Sequence, residues 1–179
     1  MTRQHSLHSF NLQALATSGE PMIERTPLQN LERLAQESIG LQPDLIVDWQ
    51  AAAELRAGAA GQMDSWLHLQ ASTSVPMTCQ RCMGAVQTPL QVDQWYRFVA
   101  SEEIAMAEDD ASEEDLLVMA PQFDLAGLLE DELLMALPLV PMHDECPVLP
   151  AFSVGVIGVP GDRAEKPNPF AALAQLKKK

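Results

Sequence analysis

The stretch MDSWLHLQASTSVPMTCQRCMGAVQTPLQVDQWYRF, residues 63–98, decides the fold of this chain. Apolar and polar side chains alternate over residues 63–71 and again over residues 90–98, which is the period of a half-buried strand. Between them lies a CQRC motif at residues 79–82, and Gly84 follows it with room for a tight turn. Strand, turn and strand together predict a β-ribbon that carries two thiols at its tip.

Helix signals lie on both sides of this ribbon. The Thr-Pro-Leu-Gln sequence at residues 26–29 has the pattern of a capping box, and Gly40 is a stop signal, so a first helix is predicted there. Asp124 is predicted to cap a second helix that runs to Leu137 and ends before Pro138.

Shorter segments complete the predicted order of elements. Three further short strands are predicted, at residues 45–49, 75–79 and 116–119. Pro76 confines the second of these to a sheet edge or to a strand start. Residues 51–61, which are rich in Ala and Gly, are predicted as a loop. Residues 102–115 carry eight acidic side chains and are predicted as a solvated loop.

These elements predict an α+β fold: an antiparallel β-sheet flanked by two helices, with a flexible basic C-terminal tail. Residues 1–150 are predicted to form one domain that includes the CxxC ribbon. Residues 151–179 are predicted to form a flexible linker, rich in Gly and Pro, and a basic docking helix. Asn168 caps this short helix, which is marginal alone and needs a surface to pack on.

Charge is distributed unevenly along the chain, which has a formal net charge of -14. Residues 98–162 contain no Lys or Arg against fifteen Asp and Glu, whereas residues 163–179 carry five basic side chains and one acidic. Because nucleic-acid affinity comes largely from neutralising phosphates, the acidic body disfavours broad RNA binding. It suits a basic protein partner instead. The alternative is that the charge serves solubility alone.

The compartment is predicted from cysteine usage and from the lack of apolar runs. Three Cys, an odd number, fit a reducing compartment better than a disulfide scaffold. No run approaches the roughly 18 apolar residues that span a bilayer. No apolar region follows Arg3, so the N-terminus does not have the pattern of a signal peptide. We therefore expect a cytoplasmic protein without membrane contact.

The two thiols at the ribbon tip, Cys79 and Cys82, make half of a tetrahedral metal site. A second pair at the same spacing, His143 and Cys146, follows a proline-rich break. The four residues predict a Cys3His site for zinc or a similar structural metal. Two other interpretations stay open. In the first, the thiols are free and Cys146 is a small buried hydrophobic residue. In the second, Cys79 and Cys82 form a redox pair. Redox pairs of this kind usually lie at the start of a helix, however, whereas strand signals flank this motif.

Two more groups are candidates for partner binding. Glu130, Asp131 and Glu132 lie on the second predicted helix, as a solvated acidic face or as a docking face for a basic partner. Acid–base catalysis by them lacks any accompanying catalytic motif, so no enzyme is predicted. The tail either packs on its own domain or docks through its apolar stripe while its lysines meet phosphate. The tail residues in question are Lys166, Asn168, Phe170, Leu173, Lys177, Lys178 and Lys179.

In order and spacing, four pieces of this sequence resemble the YceD-like family, the large ribosomal RNA accumulation proteins of bacteria and plastids. These pieces are residues 79–84, 124–138, 140–146 and 166–177. The resemblance implies a role in synthesis or accumulation of the large-subunit (23S) ribosomal RNA, and no enzymatic activity is attached to the family. The N-terminal third carries no diagnostic motif.

The predicted function is therefore a non-enzymatic ribosome biogenesis factor. It would bind a basic ribosomal protein or the large-subunit precursor, with the tail touching ribosomal RNA. The alternative is a metal- or redox-responsive regulatory protein that acts through the CxxC motif.

Overall fold

One five-stranded mixed sheet organises the chain. The computed structural model describes residues 10–58 and 61–147. The strands are β1 (Met22–Pro27), β2 (Ile46–Ala57), β3 (Met63–Thr78), β4 (Ala85–Val99) and β5 (Asp115–Val118). Their order in the sheet follows their order in the chain. The first four pair antiparallel with their neighbours, whereas β5 pairs parallel with β4.

Four α-helices accompany this sheet in the described part of the chain. They are α1 (Leu12–Ser18), α2 (Glu32–Glu37), α3 (Glu102–Glu108) and α4 (Leu125–Met135). The α+β class is therefore confirmed. The prediction of two helices and of a purely antiparallel sheet is wrong. The predicted linker and basic tail, residues 151–179, lie outside the described residues.

The long hairpin of β3 and β4 is the prediction that the structure bears out most fully. Its pairing runs from Ser65 opposite Phe98 to Thr78 opposite Ala85, with the CQRC motif in the turn. The two strands predicted before the motif are one continuous strand. Pairing with β2 stops at Ser72, so β3 is an edge from there on. Pro76 lies in this edge section, where the sheet does not require the N–H that proline lacks.

One face of the sheet and the helices α1, α2 and α4 share a single hydrophobic core. Buried side chains alternate along the strands, as in Leu67 and Leu69 on β3 or Tyr96 and Phe98 on β4. The helices and the turn before α2 contribute Leu12, Leu28, Leu31, Leu34, Leu125, Leu129 and Leu133. The alternation predicted for residues 63–71 and 90–98 is confirmed, because within these two ranges the buried side chains all lie on one face.

The opposite face of the sheet carries a polar and aromatic surface. The Arg56 guanidinium lies 4.3 Å from the Trp66 ring centre and 4.2 Å from that of Trp95. The ring of His68 stacks on Trp95 at 4.2 Å between centres, and its Nε2 lies 2.6 Å from Asp93 Oδ1. These side chains link β2, β3 and β4 across the strands, which stabilises this face of the sheet.

The predicted capping box is wrong, because its threonine has another partner. Thr26 belongs to β1, and its hydroxyl accepts a hydrogen bond from the indole N–H of Trp49 at 2.9 Å. A 3-10 turn, Leu28–Asn30, intervenes before α2 begins. The helix ends at Glu37, shortly before Gly40, whose φ of +59° lies in the left-handed region.

The loop predicted at residues 51–61 is also wrong, because β2 continues to Ala57. Ala51 and Ala53 are buried and alternate with less buried neighbours, as a strand requires. Helix α1 packs against β2. The small side chains of this strand let α1 approach it closely. Their Ala-rich composition therefore reflects helix packing and not a loop.

The acidic segment after β4 is folded against the sheet by Arg97. Its guanidinium lies 2.7 Å from Glu108 and 2.7 Å from Glu114, and it also donates to the Ser112 hydroxyl at 2.9 Å. Burial lowers the pKa of Arg97, but Glu108 and Glu114 outweigh this and raise it overall. The segment therefore forms α3 and a following 3-10 turn, Asp109–Ala111, where a solvated loop was predicted.

Replacing Arg97 by Met is expected to lower the free energy of unfolding by about 1–3 kcal/mol, because two carboxylates lose a charged donor that is only 13% exposed. Urea denaturation measures this difference. Arg25→Met is the matched control, since Arg25 and Asp48 are 70% and 60% exposed and their ion pair should contribute under about 0.5 kcal/mol. Equal losses in the two variants would show that Arg97 does not anchor α3.

Candidate metal centre

The turn between β3 and β4 shapes the first half of the site. The N–H of Cys79 donates to the Gly84 carbonyl at 2.8 Å, and the N–H of Met83 donates to the Cys79 carbonyl at 2.9 Å. The left-handed residue of this turn is Met83, with φ 61°. A Cβ at Gly84 would meet only the Cys82 Sγ at 3.5 Å, an ordinary contact. Gly84 was predicted to give the tight turn room, and this contact shows that the turn would also accommodate a Cβ there.

The segment after α4 brings the second half of the site to the same place. The backbone N–H of Gln80 donates to the Pro141 carbonyl at 2.9 Å. His143 Nε2 lies 2.9 Å from the Ala85 carbonyl oxygen, to which it donates. These two hydrogen bonds return the chain to the hairpin tip and leave His143 Nδ1 directed at the thiols.

The four predicted ligands lie together, which confirms the predicted cluster. The ligand atoms of Cys79, Cys82, His143 and Cys146 all lie within 4.8 Å of one another. Cys79 Sγ and Cys146 Sγ are 3.8 Å apart, and Cys82 Sγ is 3.5 Å from His143 Nδ1. Zinc–sulfur bonds of about 2.3 Å in a tetrahedron place two sulfurs roughly 3.8 Å apart. The Cys79–Cys146 distance equals this value, and the shorter Cys82–His143 distance suits the shorter zinc–nitrogen bond of about 2.0–2.1 Å.

The hydrogen bond from His143 Nε2 to the Ala85 carbonyl also fits metal binding. With Nε2 carrying the proton that it donates to the Ala85 carbonyl, Nδ1 keeps a free lone pair toward the thiols. Metal-binding histidines in proteins are typically held by such a hydrogen bond from the other ring nitrogen.

The thiols of this cluster have strongly separated pKa values. Burial raises the pKa of Cys79, but hydrogen bonds from the backbone of Cys82, His143 and Arg81 outweigh it, and the pKa falls to about 5. Burial, and then Cys82 and Cys79, raise the pKa of Cys146 to about 11. The shifts oppose each other because one thiolate disfavours a second beside it. A bound cation would relieve that repulsion.

The acidic triad on α4 does not form the solvated face that was predicted. Glu130 and Glu132 are buried, and only Asp131 is exposed. Glu130 accepts from the backbone N–H of Arg33 at 2.7 Å and of Leu34 at 3.1 Å, which caps α2. Its other oxygen accepts from Arg33 Nε at 2.8 Å. The use of the three residues for partner binding stays a prediction, with Asp131 the member that solvent reaches.

Arg33 is the residue of this region that the sequence did not reveal. Its guanidinium binds Asp131 and Glu130 at 2.5 Å and 2.8 Å, and these carboxylates, Asp131 first, raise its pKa. Arg33 and Glu130 are 97 residues apart in the chain, so no local pattern links them. The remaining predicted site residues, Lys166, Asn168, Phe170, Leu173 and Lys177 to Lys179, lie outside the described residues.

Fold and cluster together define the class: an α+β protein with a Cys3His cluster at the tip of a long β-hairpin. Residues 67–177 match the family model described as large ribosomal RNA subunit accumulation protein YceD, and the chain belongs to this family. The resemblance seen in the sequence is thereby confirmed. The matched range includes all four residues of the cluster.

Among curated proteins, the chain is similar to large ribosomal RNA subunit accumulation protein YceD of Haemophilus influenzae. The two are 41% identical over 108 residues, which cover 59% of this chain and 61% of that protein. No solved structure matches the chain. Within the part of the chain that the structure describes, no helix is long and apolar enough to cross a membrane.

Proposed function

We propose that this protein is a non-enzymatic, cytoplasmic factor that supports accumulation of the large-subunit ribosomal RNA. It acts by binding the large-subunit precursor or one of its basic proteins. The membership in the YceD family carries this proposal, since the curated relative bears that role in its name.

The charge of the described residues supports a basic protein as the immediate partner. Residues 10–58 and 61–147 hold twenty-three Asp and Glu against five Arg. Four of those five, Arg25, Arg33, Arg56 and Arg97, are ion-paired to carboxylates of the same chain. Little positive charge is left to neutralise phosphate, whereas a cationic surface would be steered toward this body.

The geometry of the acidic triad supports a non-catalytic role. Glu130 already accepts three hydrogen bonds from α2 and Arg33, so it is engaged in holding the fold. A general acid or base needs a carboxyl group that can reach a substrate. Among the three residues, solvent reaches only Asp131, and Arg33 binds it.

We also propose that Cys79, Cys82, His143 and Cys146 hold a structural zinc ion. Four protein ligands close a tetrahedral site, which is typical of structural and not of catalytic zinc. The ion would tie residues 138–146 to the hairpin tip. The alternative, a redox-active dithiol, is less well supported because the thiol with the lowered pKa, Cys79, is fully buried.

Sedimentation of a low-salt lysate through a sucrose gradient tests the main proposal. The full chain is expected to migrate with large-subunit precursors, and removal of residues 163–179 is expected to release most of it to the top. The physical reason is the loss of the segment that carries all four lysines. A full-length protein that stays at the top of the gradient would contradict the proposal, whatever the truncated chain does.

A further inference from the structure

An exposed apolar ridge stands directly beside the Cys/His cluster. It consists of Leu139, Val140 and Met142, in the segment between α4 and the ligand His143. The exposed fractions of these side chains are 101%, 53% and 47%. Apolar side chains so close together and so open to solvent mark interaction sites more often than isolated ones do.

Two grooves flank the ridge and share Pro138 at their boundary. One has a volume of about 370 Å³ and is lined by Arg81, Val140, Met142 and Asp144, among others. The other has a volume of about 440 Å³ and is lined by Glu37, Met77, Leu134 and Leu139, among others. Each groove thus combines apolar walls with a carboxylate, from Asp144 in the first and from Glu37 in the second.

The ridge is held in place from both ends of its segment. Pro141 is buried, and its carbonyl accepts from Gln80 at the hairpin tip. His143 and Cys146 follow it into the cluster. A surface that is fixed before a partner arrives loses less conformational entropy on binding. The cluster therefore acts as the support of this surface.

Charge decides what kind of partner fits. Arg81 is the one arginine of residues 10–58 and 61–147 that forms no ion pair there, and its Nη2 lies 3.9 Å from Met142 Sδ. It is outnumbered, because the same residues carry twenty-three carboxylates. A polyanion such as RNA would be repelled by this body, whereas a cationic protein segment would be attracted.

We propose that the ridge docks a Lys- and Arg-rich protein segment, whose apolar side chains enter the two grooves while its cations meet Glu37 and Asp144. This inference rests on the proposed function and names the surface through which a basic partner is bound. Apolar contacts supply the specificity, and the opposite charge raises the association rate.

Fluorescence anisotropy with two synthetic peptides tests the proposal on the full chain. One peptide has Leu-Lys-Lys-Leu repeats, and the other has Ser in place of every Leu. The wild-type protein is expected to bind the leucine peptide about tenfold more tightly. Leu139→Ser is expected to remove about tenfold of that affinity without affecting the fold, since this side chain is fully exposed. Met106→Ser, on α3 and also highly exposed, is the matched control and should leave the affinity for the leucine peptide unchanged.

The Arg81→Ala variant shows whether the ligand of the ridge is a basic protein segment or RNA. Because Arg81 lines the first groove and repels a cationic ligand, its loss should tighten leucine-peptide binding, whereas binding to phosphate would weaken. The proposal is overturned by equal affinity for both peptides, or by Leu139→Ser without effect. It is also overturned if a single-stranded RNA oligonucleotide binds more tightly through Arg81. Concentration-dependent self-association that Leu139→Ser abolishes would identify a second copy as the occupant instead.

The gradient experiment distinguishes failure of this inference from failure of the proposed function. If the wild-type chain migrates with large-subunit precursors and Leu139→Ser does so equally, the ridge is not the docking surface and the function stands. If the wild-type chain itself stays at the top, the proposed function fails regardless of the peptide result.

Discussion

Zinc removal is expected to lower the free energy of unfolding of the wild-type protein by several kcal/mol. A ligand that binds only the folded state at about a thousandfold excess over its Kd contributes roughly 4 kcal/mol. The four ligand atoms already lie within 4.8 Å of one another, so the folded chain would need only small side-chain movements to bind the ion. Urea denaturation with and without a zinc chelator measures the effect, and metal analysis of the purified protein should find one zinc per chain.

Variants of the cluster make this test specific. Cys79→Ser should reduce stability about as much as chelation does, and the chelator should then have little further effect. Met142→Ser, next to the ligand His143, is a control that removes no member of the cluster. Affinity for zinc should weaken as the pH falls, because protons compete for the thiolates. A purified protein without zinc, with three thiols that react freely under native conditions, would exclude the structural metal.

Replacing Glu130 by Ala is expected to lower the free energy of unfolding by about 2–4 kcal/mol. The change removes the cap of α2 and leaves the N–H of Leu34, a buried residue, without its acceptor. It also removes one carboxylate from Arg33, a smaller loss because that side chain is half exposed. Urea denaturation of the two proteins gives the difference directly.

Two further substitutions distinguish the loss of the α2 cap from the loss of an ion pair with Arg33. Glu130→Gln keeps a carbonyl oxygen for the backbone of α2, so it should be milder than Glu130→Ala. Asp131→Ala removes only an exposed ion pair with Arg33 and should change stability by under about 1 kcal/mol. If Glu130→Ala were as mild as Asp131→Ala, the capping role of Glu130 would be wrong.

The hairpin and the cluster were predictable because their signals are local. Strand alternation has a period of two residues, and each pair of ligands has its own fixed spacing. That the two ligand pairs belong to one site could be predicted because a tetrahedral ion needs two ligands beyond those of a single pair. The parallel direction of β5 had no such signal, because a short apolar run looks the same in either orientation.

The start of α2 shows why other predictions failed. Thr26 fits the capping pattern, yet its hydroxyl is used by Trp49 on the neighbouring strand, and Glu130 caps the helix from 97 residues away. The acidic segment after β4 was likewise predicted to be solvated, but Arg97 binds two of its carboxylates. In both cases the hydrogen-bonding or charged groups are bound by residues distant in the chain, whereas sequence patterns reveal only partners that are near in the chain. Leu139, an exposed leucine, could not be distinguished from a core leucine by sequence.

The hairpin also has a consequence for the order in which the chain folds. Its turn occupies only residues 79–84, so the entropy of closing β3 onto β4 is small. Contact between Cys79 and Cys146 instead spans 67 positions of the chain, a much larger closure. During synthesis the first two thiols would therefore be presented early and wait for the other two ligands. We therefore expect the Cys/His cluster to form later than the hairpin that carries its first two ligands.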